Sequence, residues 1–197
     1  MKGITEIRWH ARAGQGAVSA AKILADTAMA AGDYVQAFPE YGPEREGAPV
    51  QAYNRIAKRK FSIYCVIEHP GVIVVMDPTL LDTGDVADGA TSESLFLINT
   101  PKCPADIKAA HPQLKPFRVT TVDATNISLS ALGKSFPNTP TLGALAKVSG
   151  VVGLDTLLEN VKGILGKKLS AEVIEKNLSV VRRGFEELVR EHGVRVL

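Results

Sequence analysis

The sequence predicts an α/β fold: a doubly wound, mostly parallel sheet with a helical C-terminal extension. Three observations predict it. The chain opens with a strand, a tight glycine turn and a long alanine-rich helix over residues 6–32. Two continuous apolar runs, at 72–76 and 95–98, the second closed by Asn99, read as strands buried on both faces. Strand patterns then alternate with helical ones as far as residue 132, after which only helical patterns follow.

In the opening unit, Ile7 and Trp9 alternate with Arg8 and His10, as a strand requires. Ala, Leu, Met and Lys, all strong helix formers, dominate residues 17–31. Val18, Ala21, Leu24, Ala25 and Ala28 form an apolar stripe at helical spacing, and Gly32 stands where a helix ends. Between strand and helix lies Ala13-Gly14-Gln15-Gly16. Gly14 and Gly16 permit a sharp turn and close backbone approach, and N–H groups at the start of the helix favour an anion such as a phosphate. The spacing is G-x-G, without the third glycine of the dinucleotide fingerprint. The same spacing also serves a turn that only packs the helix on the strand, so both readings stand.

Residues 34–38 read as a second strand, stopped by Pro39, and residues 50–56 as a third. Between them, Pro39 to Pro49 packs three prolines and two glycines around Glu40, Tyr41, Glu44, Arg45 and Glu46. Such stiffening of a charged loop favours a functional role over a plain solvated, hairpin-like connection. Lys58-Arg59-Lys60 reads as a solvated turn, residues 62–67 as a short strand, and His69 as a turn residue. Asp77 ends the strand at 72–76, where open parallel sheets place ligands, although a carboxylate there also caps a turn. A helix over 104–110, a strand over 118–123 and a helix over 124–132 complete a Rossmann-like order. Helices are expected over 139–148, 154–165 and 171–192, with Gly143, Gly150 and Gly153 at the joints. Ser170 suits the N-cap of the last helix, whose stripe of Val173, Ile174, Leu178, Val181, Phe185 and Leu188 makes it amphipathic.

At 197 residues the chain suits a single domain spanning 1–197. Its 45% hydrophobic and 22% charged residues are ordinary for a globular protein, and a net charge of +2 gives no case for nucleic acid or a membrane surface. The two cysteines, Cys65 and Cys103, lack metal-ligand spacing, which points to a reduced, cytoplasmic setting and to no metal site in this chain. No signal core or membrane-spanning run is visible.

Taken together, the motifs resemble the gamma subunit family of 2-oxoacid:ferredoxin oxidoreductases, with the pyruvate enzyme (pyruvate synthase) as the nearest type. Ala11-Arg12-Ala13-Gly14-Gln15-Gly16 is similar to the family's GxGGQG turn. Pro39-Glu40-Tyr41-Gly42-Pro43-Glu44-Arg45-Glu46-Gly47-Ala48 is similar to its PEYGPERRGG segment, with Glu46 where a second arginine can stand. NTPTLGA, from Asn138 to Ala144, and the tail at 167–187 extend the likeness over nearly the whole chain. The resemblance implies a part in oxidising a 2-oxoacid with coenzyme A to acyl-coenzyme A and carbon dioxide, with electrons passing to ferredoxin. It implies alpha, beta and delta type partner subunits that hold thiamine diphosphate, magnesium and iron–sulfur clusters; a homodimer is allowed for the isolated chain. Two distant cysteines agree with this division, because such a cluster wants four thiolates. No residue is assigned a catalytic role. The expected ligand or partner contacts are Gly14, Gln15 and Gly16 in the turn, with Glu40, Tyr41, Gly42, Glu44, Arg45 and Gly47 in the loop.

Two other functions compete. An independent nucleotide-binding enzyme wants an acid after the second strand for a ribose, and Glu40 nearly fits. A scaffold subunit without any ligand is the other.

Overall fold

The computed structural model describes residues 3–40, 47–83, 85–166 and 169–190. The chain runs β1 (Ile4–Arg12), α1 (Ala17–Ala30), β2 (Tyr34–Glu40), β3 (Pro49–Ala57) and β4 (Val72–Val75). Two short 3-10 turns, Pro78–Thr83 and Asp85–Ala87, lead to β5 (Leu95–Asn99), α2 (Pro104–Ala110), β6 (Arg118–Val122) and α3 (Ala124–Leu132). Helices α4 (Asn138–Ser149), α5 (Leu154–Leu165) and α6 (Ala171–Glu186) follow, then β7 (Val189–Arg190).

The strands form one sheet in the order β2-β3-β1-β4-β5-β6-β7. β1, β4, β5 and β6 are parallel neighbours, while β3 and β7 run against the rest. The fold is therefore the expected mostly parallel α/β sheet, with an antiparallel hairpin, β2–β3, added beside β1.

Alternation along the strands builds two cores. Ile7, Trp9, Val72, Val74, Leu95 and Leu97 face α1 and the C-terminal helices. Ile73, Val75, Phe96 and Ile98 face α2 and the 3-10 turns through Leu80, Leu81, Val86 and Ile107. All four residues of β4 and all five of β5 are buried, as the unbroken apolar runs require. Helix α1 closes with Gly32 N–H donating to the Met29 carbonyl and Asp33 N–H to that of Ala28, so Gly32 follows the cap as expected.

Four local expectations need correction. Pro39 does not stop β2, which continues to Glu40, because this outermost strand tolerates a residue without an N–H. Residues 62–67 form no strand. The Ile63 and Val66 carbonyls accept from the Gln36 and Arg55 side chains, and Tyr64 is 93% exposed, so this alternation has no partner strand. The last helix ends at Glu186, and Val189 and Arg190 pair instead with the outer edge of β6; residues 191–197 lie outside the described residues.

The fourth concerns Gly143, which marks no joint and sits inside α4. A Cβ there would lie 2.0 Å from the Val181 carbonyl oxygen of α6, and one on Gly184 would lie 1.9 Å from the Pro140 oxygen. The two helices cross backbone to backbone at these glycines. Gly143→Ala should therefore destabilise the chain by about 1–3 kcal/mol through overpacking. Gly163→Ala, in α5 with nothing within 4 Å of its Cβ, should stabilise it by up to about 1 kcal/mol. Urea unfolding of both variants checks the opposite signs.

Candidate functional site at the carboxyl edge of the sheet

The glycine turn and the entry to β3 at Gly47 and Ala48 meet at the carboxyl edge of β1. Gly14 (φ 98°) and Gly16 (φ 84°) both take left-handed backbone, which the sharp exit from β1 demands. Gly16 is the N-cap of α1, no side chain caps that helix, and its first turn carries no acid. A Cβ on Gly16 would stand 2.8 Å from the Asn138 side-chain nitrogen, so the start of α4 presses against the turn.

Gln15 turns inward and braces this structure. Its Oε1 accepts from the Arg12 backbone N–H at 2.9 Å, and its Nε2 donates to Asp77 at 2.9 Å. Asp77 also accepts from the backbone N–H and hydroxyl of Thr79, and Arg12 lies 3.4 Å away. Burial alone would push the Asp77 carboxyl up; the Thr79 and Gln15 hydrogen bonds and the Arg12 charge bring it below its ordinary value. Asp77 thus caps a turn and also joins the end of β4 to the glycine turn.

The hairpin's return arm is tied to the same turn. Ala13 N–H donates to the Ala48 carbonyl at 2.8 Å, Gly47 N–H to that of Ala13 at 3.4 Å, and the Arg12 guanidinium to that of Gly47 at 3.2 Å. Gly14, Gln15, Gly16 and Gly47 therefore come together. Tyr41, Gly42, Glu44 and Arg45 lie outside the described residues.

Glu40 takes a different direction. Its carboxylate accepts a hydrogen bond from the Tyr53 hydroxyl, on the sheet face opposite α1. Tyr53 stacks on Phe38 at 5.0 Å, and burial, then the Glu40 bond, pushes its phenol up. The ribose role for Glu40 fails on topology: β3 lies between β2 and β1, so Glu40 is one strand too far from the glycine turn.

Sequence reasoning missed the polar layer on this face. Arg8 and His10 point away from α1 and are buried, at 6% and 4% exposure, beneath the 3-10 turns. The Arg8 Nε–H donates to His10 Nε2 at 3.0 Å, and its Nη2 donates to the Val86 and Asp88 carbonyls. A guanidinium only donates, so His10 Nε2 holds the lone pair and the ring hydrogen sits on Nδ1. Burial and then the Arg8 charge lower the imidazole to about 3, so it is neutral in ordinary buffers. Beside them Arg55, fully buried, pairs with Glu6 at 2.7 Å and lies over the Phe38 ring. The signal was present in the strand alternation, but only the later turns reveal that this face is covered.

The buried imidazole has a measurable consequence. His10 titrates near 6.5 when unfolded and near 3 when folded, so the unfolded chain takes up the proton first. Its contribution to stability is complete above the upper value and is lost as pH falls toward the lower one, at up to about 1.4 kcal/mol per pH unit. His10→Gln keeps an acceptor for Arg8 without titrating. Urea unfolding across that window should show a shallower acid loss in the variant; equal slopes would contradict the assignment.

The chain matches the family described as Pyruvate ferredoxin/flavodoxin oxidoreductase over residues 6–187. It is 44% identical to the Pyruvate synthase subunit PorC of Thermotoga maritima, covering 93% of this chain and 94% of that protein. It is 43% identical to the Pyruvate/ketoisovalerate oxidoreductases common subunit gamma of Pyrococcus furiosus, covering 92% and 96%. The crystal structure of the Thermotoga maritima pyruvate oxidoreductase subunit PORC superposes with a TM-score of 0.84 at 41% identity, covering 95% and 98%. A 2-oxoglutarate:ferredoxin oxidoreductase of Magnetococcus marinus shares the fold at 20% identity and a TM-score of 0.79, this chain corresponding to 33% of that longer one. On the match across residues 6–187 and these identities, the chain belongs to the pyruvate ferredoxin/flavodoxin oxidoreductase family.

Proposed function

We propose that this chain serves as the gamma-type subunit of a multi-subunit pyruvate (2-oxoacid):ferredoxin oxidoreductase. The complex oxidises a 2-oxoacid with coenzyme A to acyl-coenzyme A and carbon dioxide and passes the electrons to ferredoxin. The observation that carries this reading is end-to-end similarity, at 44% identity, to a subunit of pyruvate synthase. Alpha, beta and delta type subunits hold the thiamine diphosphate, magnesium and iron–sulfur clusters. Support comes from the cysteine count: this chain carries two, and a cluster wants four thiolates.

The carboxyl edge is the part of this chain that acts in the complex. Gly16 and Ala17 offer backbone N–H groups at the uncapped start of α1, suited to a phosphate of coenzyme A or a partner carboxylate, while Gly14, Gln15 and Gly47 shape the turn around them. Gln15 and Asp77 hold that turn rigid. From the sequence, Arg45 in the adjoining loop adds a charge-assisted contact to the same kind of group, and Glu44 orients it.

Arg45→Ala in the assembled complex tests this role. Removing a charge-assisted contact costs about 1.5–3 kcal/mol, so coenzyme A affinity or turnover should fall roughly ten- to a hundred-fold while the subunits still assemble. Normal assembly with full turnover and unchanged coenzyme A dependence would remove the site from this edge.

A further inference from the structure

Strand β2 is the last in the sheet on its side, and its outer edge is open. In an antiparallel pair, alternate residues turn their N–H and C=O groups toward the neighbour. Gly71 and Met76 N–H donate to the Glu6 and His10 carbonyls, so the even residues of β1 face β4 and the odd ones face β3. The registers Ile7↔Asn54 and Phe38↔Tyr53 carry this alternation outward. Val35, Ala37 and Pro39 therefore turn their backbone groups away from the sheet, and the N–H that Pro39 lacks costs no bond to β3. Among the described residues no hydrogen bond reaches the outward groups of Val35 or Ala37. A cavity of about 590 Å³ lies along them instead, walled by Phe38 and residues 63–66. Open edges are usually blunted by charge, yet Tyr34 to Phe38 carries none.

We propose that a second copy of this chain pairs with this edge, β2 against β2 and antiparallel, about a twofold axis at Gln36. The register is self-complementary. With Val35 opposite Ala37 of the second copy, every outward N–H and C=O of these two residues is used in both copies. Tyr34, 47% exposed, then lies beside Phe38 of the second copy on the face opposite α1, an aromatic cross-strand pair that the twofold repeats. Charge selects the same direction. The exposed Lys58, Arg59 and Lys60 follow β3 at the amino end of β2, and the exposed Glu40 ends β2. Antiparallel pairing sets the acidic end of each copy beside the basic end of the other, whereas parallel pairing would set like charges together.

Sedimentation of the full chain should show a concentration-dependent dimer. Ala37→Pro removes an outward N–H and leaves the bonds to β3, so it should raise the dimer dissociation constant roughly ten- to a hundred-fold. The register is read by oxidation in a chain carrying Cys65→Ser and Cys103→Ser. Gln36→Cys should cross-link to a covalent dimer, because directly opposed residues bring their Cβ atoms to about 4.5–5.5 Å. Tyr34→Cys should not, because its two copies stand about 13 Å apart along the seam. A parent that stays monomeric at its highest soluble concentration would overturn the proposal. So would an Ala37→Pro dimer as tight as the parent's, or Tyr34→Cys cross-linking as readily as Gln36→Cys. Hydrogen-exchange protection of Val35 and Ala37 that arises only when a different subunit is added would give the edge to that subunit and overturn it as well.

Discussion

Three elements of this protein are held by one buried polar link. The Trp9 indole N–H donates to Asn54 at 2.8 Å, and the Asn54 amide donates to the Ala21 carbonyl at 2.8 Å, with Trp9 and Asn54 both at 0% exposure. This link ties the central strand β1 to its antiparallel neighbour β3 and to the helix α1. Losing Asn54 would leave the Trp9 indole N–H stranded in the apolar core, while the Ala21 carbonyl would keep only its bond within α1. The glycine turn starts from the end of β1 and the hairpin's return arm from the start of β3. Their relative placement therefore depends on this link.

The same pair of strands divides its labour by face. Towards α1 it presents Trp9, Ala52 and Ile56 and makes ordinary core. On the other face it presents Glu6, Arg8, His10, Tyr53 and Arg55, a polar layer held by hydrogen bonds and ion pairs. Such a layer is stable only when its members are paired, since an unmatched buried charge is costly. The arrangement gives a rigid wall beneath the hairpin. It also sets two kinds of chemistry at one sheet edge: backbone N–H groups on the α1 face, and a neutral imidazole with a carboxylate on the other. Open parallel sheets meet ligands at such a loop-bearing edge, which is why the proposed contact with coenzyme A or a partner subunit is placed there.

Much of this was legible in the sequence. The strand–turn–helix opening, the apolar runs of β4 and β5 and the N-cap Ser170 appear as read, because each depends on local periodicity or capping. The family likeness rested on the turn and hairpin motifs, and of the latter Gly47 and Ala48 are hydrogen-bonded to the turn at Ala13. What stayed hidden depends on distant partners. Residues 62–67 have strand-like alternation but no neighbour to pair with. Val189 and Arg190 become a strand only because β6 leaves an edge open. Gly143 reads as a joint until the α6 backbone is seen against it. His10 reads as a polar strand residue until the turns over 78–87 bury it.

The central claim is that the carboxyl edge of the sheet is the working surface of this subunit. Hydrogen–deuterium exchange on the chain alone, in the assembled complex, and in the complex with coenzyme A measures it directly. The account predicts that residues 12–16 and 40–49 become protected on assembly, and further protected with coenzyme A. Protection confined to α5, α6 or the amino edge, with these two segments exchanging as they do in the free chain, would contradict it.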